Sequence, residues 1–377
     1  MAFGDRSLVN NEAAPQISGA GKPGAPSLRA ANADAGKEAN LKRPHADSAR
    51  PGEISVCAMI PTKNRPQELA ATVRSLLRQS LVPDQLIIVD QSGGSESQQT
   101  LQREYEQAPQ RVRQRVALCY IRDVTLRGLA AARNRAMELA RADVWLFLDD
   151  DVCLEPAFLE ELLKVYGDNP QASGVSGIIS NYPAPSRAFR AWSWVFVRGP
   201  LRDDRQPVYW KADGLRNAAP VRVSRLGGGL MSFRRAAIQG MAFDADLEGV
   251  SDGEDVDFCS RLPSGSVLLI APRARLEHRQ SPTGRSADHW LGRHARASYF
   301  LYRKNWKRGV KNRICFAWLK AGYALVATLA SLRRGSLQPW RTLLAAARTT
   351  ARQRYSSSLL SEAVAPGDGK AGAGHCP

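Results

Sequence analysis

Three consecutive carboxylates, Asp149, Asp150 and Asp151, follow the short apolar run 144–148. An apolar run of this length between charged residues is typical of a buried strand in a parallel sheet. Side chains alternate along a strand, so Asp149 and Asp151 should leave on one face and Asp150 on the other. Two carboxylates on one face can hold a divalent cation, and hard oxygen ligands favour Mg²⁺ or Mn²⁺ over zinc. A strand that ends in a solvated acidic turn explains the triplet alone equally well.

The segments before this triplet end in polar residues at similar positions. The apolar runs 54–60 and 86–90 have the composition of buried strands, the first followed by Thr62 and the second ending in Asp90. Helical patterns alternate with these strands, which predicts a mostly parallel, doubly wound α/β sheet. Ligands of such sheets bind beyond the carboxyl ends of the strands. Because three separate strands end in a polar residue there, we favour a binding site over unrelated solvated turns.

Aromatic residues are frequent in 181–225, a stretch with several prolines and arginines that includes Trp192 and Trp194. Aromatic rings stack on the C–H faces of sugars, so this stretch is suited to a loop that covers a sugar acceptor. A small hydrophobic cluster packed under a long loop is an equally good explanation.

Two further motifs follow the aromatic stretch. Gly227-Gly228-Gly229 precede an apolar strand, where the absence of side chains would let a ligand approach the backbone, although turn geometry alone also requires glycine. Glu254 and Asp255 occupy the first turn of a predicted helix whose apolar residues face inward. Acidic residues at that position also complement the helix dipole, so a purely structural role is the alternative.

Together, and in this order, the motifs resemble those of an inverting glycosyltransferase of family 2 with the GT-A fold, the nucleotide-diphospho-sugar transferase fold. The resemblance covers about residues 54–285. The parts that carry it are Pro61-Thr62-x-Asn64-Arg65, Val89-Asp90, Ala132-Arg133-Asn134, the Asp149-Asp150-Asp151 form of the D-x-D motif, Gly227-Gly228-Gly229 and Gly253-Glu254-Asp255. The Gln-x-x-Arg-Trp signature of the processive polysaccharide synthases does not follow Asp255, so we expect the addition of one or a few sugars.

This resemblance implies metal-dependent, inverting transfer of a sugar from a nucleotide-diphospho-sugar to an acceptor hydroxyl, in cell-surface glycan or glycolipid synthesis. Asp255 would be the catalytic base, and Glu254 would contact the acceptor with Trp192 and Trp194. Mn²⁺ or Mg²⁺ would be bound by Asp151 and by His278, for which a structural hydrogen bond is the alternative role. The donor would be bound by Pro61, Thr62, Asn64, Arg65, Asp90, Arg133, Asp149, Asp150, Gly228 and Gly229.

The net charge of +17 over 377 residues indicates an anionic partner. Nucleic-acid binding is one alternative function, but no nucleic-acid-binding module is recognisable, so we expect no nucleic-acid partner. A nucleotidyltransferase that makes the sugar nucleotide is the other alternative. It would need a glycine-rich loop after the first strand to hold a triphosphate, and 61–65 contains no glycine. The six cysteines have no zinc-site spacing, which favours a reduced, cytoplasmic setting.

Composition divides the chain into a disordered leader at 1–52, a GT-A domain at 53–286, a basic helical region at 287–355 and a flexible tail at 356–377. Within the basic region, 314–332 carries the single charge Lys320 and is long enough to span a bilayer core of about 30 Å. Basic residues flank both ends, which favours attachment to the cytoplasmic face of an anionic membrane over a single transmembrane helix. A buried C-terminal helix is a further alternative. A glycan or a lipid-linked acceptor would suit this setting.

Overall fold

The computed structural model describes residues 53–182, 184–245, 253–279, 290–306 and 309–352. The predicted leader and the predicted tail lie outside these residues. In the described part, nine strands form one mixed sheet flanked by helices, in the order β3-β2-β1-β4-β8-β6-β9-β5, with β7 paired to β9. The predicted α/β fold is confirmed.

The first half of the sheet is parallel and follows the predicted alternation of strands and helices. Its strands are β1 (Val56–Thr62), β2 (Gln85–Asp90), β3 (Ala117–Arg122) and β4 (Val144–Leu148). The helices between them are α1 (Pro66–Leu77), α2 (Glu96–Gln107), α3 (Gln110–Arg115) and α4 (Gly128–Leu139). Proline in the first turn of α1 suits a position where the backbone N–H has no partner within the helix.

The second half of the sheet mixes strand directions. It contains β5 (Val152–Leu154), β6 (Ala172–Ile179), β7 (Val221–Val223), β8 (Leu230–Arg234) and β9 (Val267–His278), with α5 (Phe158–Asp168) before β6. Strand β8 lies antiparallel between β4 and β6, and β6 is parallel to β9. Both β5 and β7 run antiparallel to β9. The sheet is therefore uniformly parallel from β3 to β4, and beyond β4 antiparallel and parallel pairs are mixed.

Strand β4 is buried on both faces, which explains its unbroken apolar sequence. Val144, Leu146 and Leu148 belong to the hydrophobic core on one face, and Trp145 and Phe147 to the core on the other. Truncating Phe147 to alanine would cost about 3–5 kcal/mol of stability, the usual range for a fully buried phenylalanine. The strand is thus held rigidly at the point where the three carboxylates leave it.

The rest of the described chain is largely helical. Its helices are α6 (Arg187–Phe196), α7 (Arg205–Trp210), α8 (Glu254–Ser260), α9 (Trp290–Asn305), α10 (Val310–Arg334) and α11 (Gln338–Arg352). The aromatic stretch predicted as a loop therefore contains two helices, α6 and α7. The predicted basic helical region is confirmed as α9 to α11. It packs on the domain, with Ala297, Phe300 and Leu301 of α9 against Val256 of α8.

Candidate functional site

Register brings the ends of four strands to one edge of the sheet. Thr62 ends β1, and the carboxylates follow β4 beside it. Pairing of β4 with β8 places Gly229 beside Asp149, whose backbone N–H donates to the Gly229 carbonyl. Pairing of β5 with β9 sets His278 opposite Val152, next to Asp151. A cavity of about 740 Å³ lies at this edge.

Asp149, Asp151 and His278 form a group that can hold a cation. Nε2 of His278 lies 2.8 Å from Oδ1 of Asp151 and 3.8 Å from Oδ2 of Asp149. The three ligand atoms all lie within 4.8 Å of one another. Carboxylates suit Mg²⁺ and Mn²⁺, and imidazole is a ligand for softer divalent cations, so this mixed set of donors fits Mn²⁺ well.

Asp150 lies outside this group of three and has other hydrogen-bond partners. Thr62 Oγ1 donates to Asp150 Oδ2 at 2.7 Å, and Arg65 donates to Oδ1 at 3.1 Å. Burial raises the pKa of Asp150 to about 6, although the Thr62 hydrogen bond and the Arg65 charge lower it. Thr72 Oγ1 also donates to the Asp150 carbonyl. The hydrogen bonds of Asp150 thus connect the segment after β4 to β1 and α1.

Arg133 is completely buried behind the carboxylates and links them. Its guanidinium donates to Glu254 Oε1 at 3.2 Å, to Asp149 Oδ1 at 3.4 Å and to the Gly228 carbonyl at 2.6 Å. A Cβ atom at Gly228 would lie 3.0 Å from Glu254 Oε1, and one at Gly229 would lie 2.8 Å from Asp149 Oδ2. A side chain at either glycine would therefore have to displace the neighbouring carboxylate.

Glu254 and Asp255 begin α8 directly after Gly253, whose φ of +112° favours glycine, and both line the cavity. Asp255 Oδ2 accepts from the Gly228 N–H at 2.8 Å and from Arg205 at 2.5 Å. Burial, together with the adjacent Asp255 charge, raises the pKa of Glu254 to about 7, although the Arg133 charge lowers it. The two neighbouring carboxyl groups thus have different environments.

Arg205 is a residue of the site that sequence reasoning missed, since nothing distinguishes it among the arginines around it. It lies on α7 between two carboxylates, donating to Asp203 at 2.9 Å as well as to Asp255. Burial would raise the pKa of Asp203, but the charge and hydrogen bonds of Arg205 lower it to about 2. Asp203 therefore stays ionised and holds Arg205 beside Asp255.

Asp90 lies behind the wall of the cavity. It is fully buried, and it accepts hydrogen bonds from the Ser92 N–H at 2.8 Å and the Tyr120 hydroxyl at 2.7 Å. The neighbouring Gln91 lines the cavity instead. Asn64 is exposed with a φ of +55°, and its N–H donates to the Ser92 hydroxyl. Asp90 thus orders the turn that connects these residues.

The two tryptophans that were predicted to bind the acceptor lie in different environments. Trp192 lines the cavity, and its Nε1 donates to the Gly322 carbonyl of α10 at 3.0 Å. Trp194 is 72% exposed, with Arg198 over its ring. Side chains two residues apart in a helix point in directions that differ by roughly 200°. Because this stretch is helical, the two rings cannot both face one site. Trp194 is therefore outside the cavity.

Side chains of the C-terminal helices also line the cavity. They are Trp290, His294, Ala297, Ser298 and Leu301 of α9, and Leu319 and Tyr323 of α10. The division of the chain at residue 286 assigned these residues to a separate region, because helical periodicity does not reveal which domain surface a helix packs on. The cavity is shared between the two predicted regions.

The mixed sheet with its acidic edge after β4 has the architecture of the GT-A fold. Residues 57–238 match the family model Glycosyl transferase family 2, so these residues form a glycosyltransferase family 2 domain. Among solved structures, the mannosyltransferase PcManGT from Pyrobaculum calidifontis, in complex with GDP-Man and Mn²⁺, has a similar fold, with a TM-score of 0.50 and 17% identity. The match covers 80% of this chain and 88% of that one.

Two curated relatives show the range of activities within such matches. A glucosyl-dolichyl phosphate glucuronosyltransferase of Haloferax volcanii is 29% identical over 133 residues, which is 34% of this chain and 38% of that protein. A hyaluronan synthase of Streptococcus pyogenes is 32% identical over 124 residues, or 32% of this chain and 28% of that protein. The chain thus spans less than two fifths of the length of either relative.

Proposed function

We propose that this protein transfers a sugar from a nucleotide-diphospho-sugar to an acceptor hydroxyl, with inversion at the anomeric carbon, in the synthesis of a cell-surface glycan or glycolipid. One observation carries the proposal. A group of potential cation ligands, Asp149, Asp151 and His278, shares one cavity with the acidic pair Glu254 and Asp255. The match of residues 57–238 to glycosyltransferase family 2 supports the same reaction class.

The donor lies at the acidic edge in this proposal. Asp149, Asp151 and His278 hold Mn²⁺ or Mg²⁺, and such a cation, when bound, neutralises charge on the nucleotide diphosphate. Arg65 lines the cavity beside Asp150 and Asp151 and adds a fixed positive charge for the diphosphate. The remaining donor-side residues, which bind the nucleotide or position those that do, are Pro61, Thr62, Asn64, Asp90, Arg133, Gly228 and Gly229.

Asp255 takes the proton of the acceptor hydroxyl, because a neutral hydroxyl is a poor nucleophile without a base. The Gly228 N–H and Arg205 fix its side chain at the cavity wall. A single displacement then inverts the anomeric centre, as in inverting glycoside hydrolysis, and needs no covalent intermediate. Glu254 contacts the acceptor with Trp192. It is also the second candidate base, because its pKa of about 7 is well suited to proton transfer at neutral pH.

The C-terminal helices attach the protein to the cytoplasmic face of an anionic membrane. Among the described residues, Val310–Arg334 is the one helix long and apolar enough to cross a bilayer. It packs on the domain through Leu319, Gly322 and Tyr323, which favours lying on the surface over crossing. Its exposed apolar residues are Val310, Ile314, Trp318, Leu325, Leu329 and Leu332. Lys311, Arg313, Arg333 and Arg334 lie at its two ends and attract anionic lipids.

A donor screen tests the proposal. The purified protein is incubated with a panel of nucleotide sugars and Mn²⁺, Mg²⁺ or EDTA, and released nucleotide diphosphate is measured. We expect release with at least one donor and its loss in EDTA. Pyrophosphate production from a sugar phosphate and a nucleoside triphosphate, without diphosphate release from any nucleotide sugar, would instead identify a nucleotidyltransferase.

A further inference from the structure

The cavity has two chemically different ends. The donor end carries the acidic side chains described above. The other end is lined by apolar and aromatic side chains of α6, α9, α10 and the turn after α6, which we call the apolar compartment: Trp192, Val197, Leu201, Trp290, Leu319 and Tyr323. Glu254 and Asp255 line the same cavity. A ligand that fills both ends therefore has a polar part and an apolar part.

The aromatic rings of the compartment pack on one another. The ring centroid of Trp192 lies 5.4 Å from that of Tyr323 and 6.2 Å from that of Trp290. The polar atoms of Trp192 and Tyr323 bond to the protein: Trp192 Nε1 donates to the Gly322 carbonyl, and the Tyr323 hydroxyl lies 3.0 Å from Ser298 Oγ. With these polar groups already bonded, the compartment suits a hydrocarbon chain better than a sugar ring, whose hydroxyls need hydrogen-bond partners.

Helix α10 connects the compartment with the outer surface. Leu319 and Tyr323 face inward and are buried. Ile314, Trp318, Leu325, Leu329 and Leu332 recur at intervals of three, four and seven residues and are exposed, so they form one apolar stripe on the other side of the helix. A helix with its side chains is about 10–12 Å across. If the stripe contacts a bilayer, the compartment therefore lies about one helix diameter from the lipid surface.

We propose that the apolar compartment binds the hydrocarbon chain of a lipid-linked acceptor, whose hydroxyl-bearing head reaches Glu254 and Asp255. This inference rests on the proposed sugar transfer and commits it to one class of acceptor. The chain leaves the bilayer beside α10 and is bound between α6, α9 and α10, so the acceptor is presented to the donor without leaving the membrane surface completely.

Calorimetry on the full chain tests this with methyl, hexyl and octyl β-glucosides, each below its micelle-forming concentration. Each methylene removed from water should tighten binding by roughly fourfold, so octyl glucoside should bind at least about tenfold more tightly than the methyl compound. Val197→Trp and Leu319→Trp fill the compartment and should each weaken octyl glucoside binding at least about tenfold. Leu344→Trp adds the same side chain on exposed α11 and should leave binding unchanged.

Binding of nucleoside diphosphate with Mn²⁺, measured on the same samples, shows whether each variant is folded. Val197 is only partly buried, so its variant remains informative where replacement of the buried Leu319 prevents folding. Equal binding of methyl and octyl glucosides, or octyl binding that folded Val197→Trp does not weaken, would overturn the inference. Loss of octyl binding in Leu329→Asn alone would assign the probe to the outer stripe and also overturn it. Absence of nucleotide binding in the wild type would count against the proposed sugar transfer instead.

Discussion

Replacing Asp255 by asparagine separates catalysis from a structural role at the start of α8. The change keeps the shape of the side chain and an oxygen that can accept from the Gly228 N–H and Arg205, but it removes the charge. If Asp255 only complements the helix N-terminus, the loss is about 0.3–1 kcal/mol of stability and turnover hardly changes. If it is the base, transfer falls by a factor of about 10² or more.

The structure sets an upper value for the stability cost. Arg205 is nearly buried, and a buried charge that loses its partner is strongly destabilising. Asp203, however, keeps two contacts with Arg205 at 2.9 Å. The asparagine NH2 group also replaces Oδ1, which accepts from the Val256 N–H at 2.8 Å. The cost of Asp255→Asn is therefore that of weakening one hydrogen bond to a charged group, about 1.5–3 kcal/mol, and losing one neutral hydrogen bond, about 1 kcal/mol, which leaves a domain of ordinary stability folded.

The assay measures transfer at saturating donor and acceptor, with nucleoside diphosphate affinity and the urea midpoint determined on the same samples. We expect donor affinity close to that of the wild type and transfer reduced at least about 100-fold. Glu254→Gln is the matched variant, since it neutralises the adjacent carboxylate. If Asp255→Asn kept most of the wild-type rate while Glu254→Gln lost it, the reasoning would be refuted and Glu254 would be the base.

Three further predictions concern other parts of the molecule. Asp151→Asn should weaken Mn²⁺-dependent nucleoside diphosphate binding at least about tenfold in calorimetry, and unchanged affinity would remove Asp151 from the cation site. The pKa of Glu254 is raised from 4.5 to about 7, so its ionisation opposes folding, with no cost below about pH 4.5 and the full cost above about pH 7. Relative to the wild type, Glu254→Gln should thus become more stable by about 3 kcal/mol between pH 4 and pH 8 in urea titrations, and a pH-independent difference would contradict the assigned burial. Leu329→Asn should reduce sedimentation with anionic vesicles, whereas Val124→Asn should not, because Val124 is exposed on a loop outside α10. Equal effects of the two substitutions would contradict membrane attachment through the exposed face of α10.

The parallel half of the fold follows from local sequence patterns. The apolar runs of β1, β2 and β4 each fill both faces of a buried sheet, so their composition identifies them directly. Strand β9 was not predicted, because Arg273 and Arg275 interrupt its apolar pattern. Arg275 is buried, and its guanidinium donates to the Ala212 carbonyl. This hydrogen bond is a tertiary contact.

The structure brings together the motif residues that follow strands, whereas the placement of residues on helices was predicted less accurately. Asp149 and Asp151 were predicted to act together, and both lie near His278 whereas Asp150 contacts Thr62, although all three follow the end of β4. The joint placement of Trp192 and Trp194 was not correct, because it assumed a loop where the chain forms α6. The roles assigned to individual site residues stay predictions.

The stereochemical course of the reaction tests whether the protein transfers a sugar by a single, cation-dependent displacement. Proton NMR follows the anomeric signals of a nucleotide sugar turned over by the purified protein with an acceptor and Mn²⁺. We expect that an α-linked donor gives a β-linked product, that nucleoside diphosphate appears at the same rate, and that EDTA stops both. A product with the anomeric configuration of the donor, or equal turnover in EDTA, would contradict the proposed single displacement at a cation-dependent site.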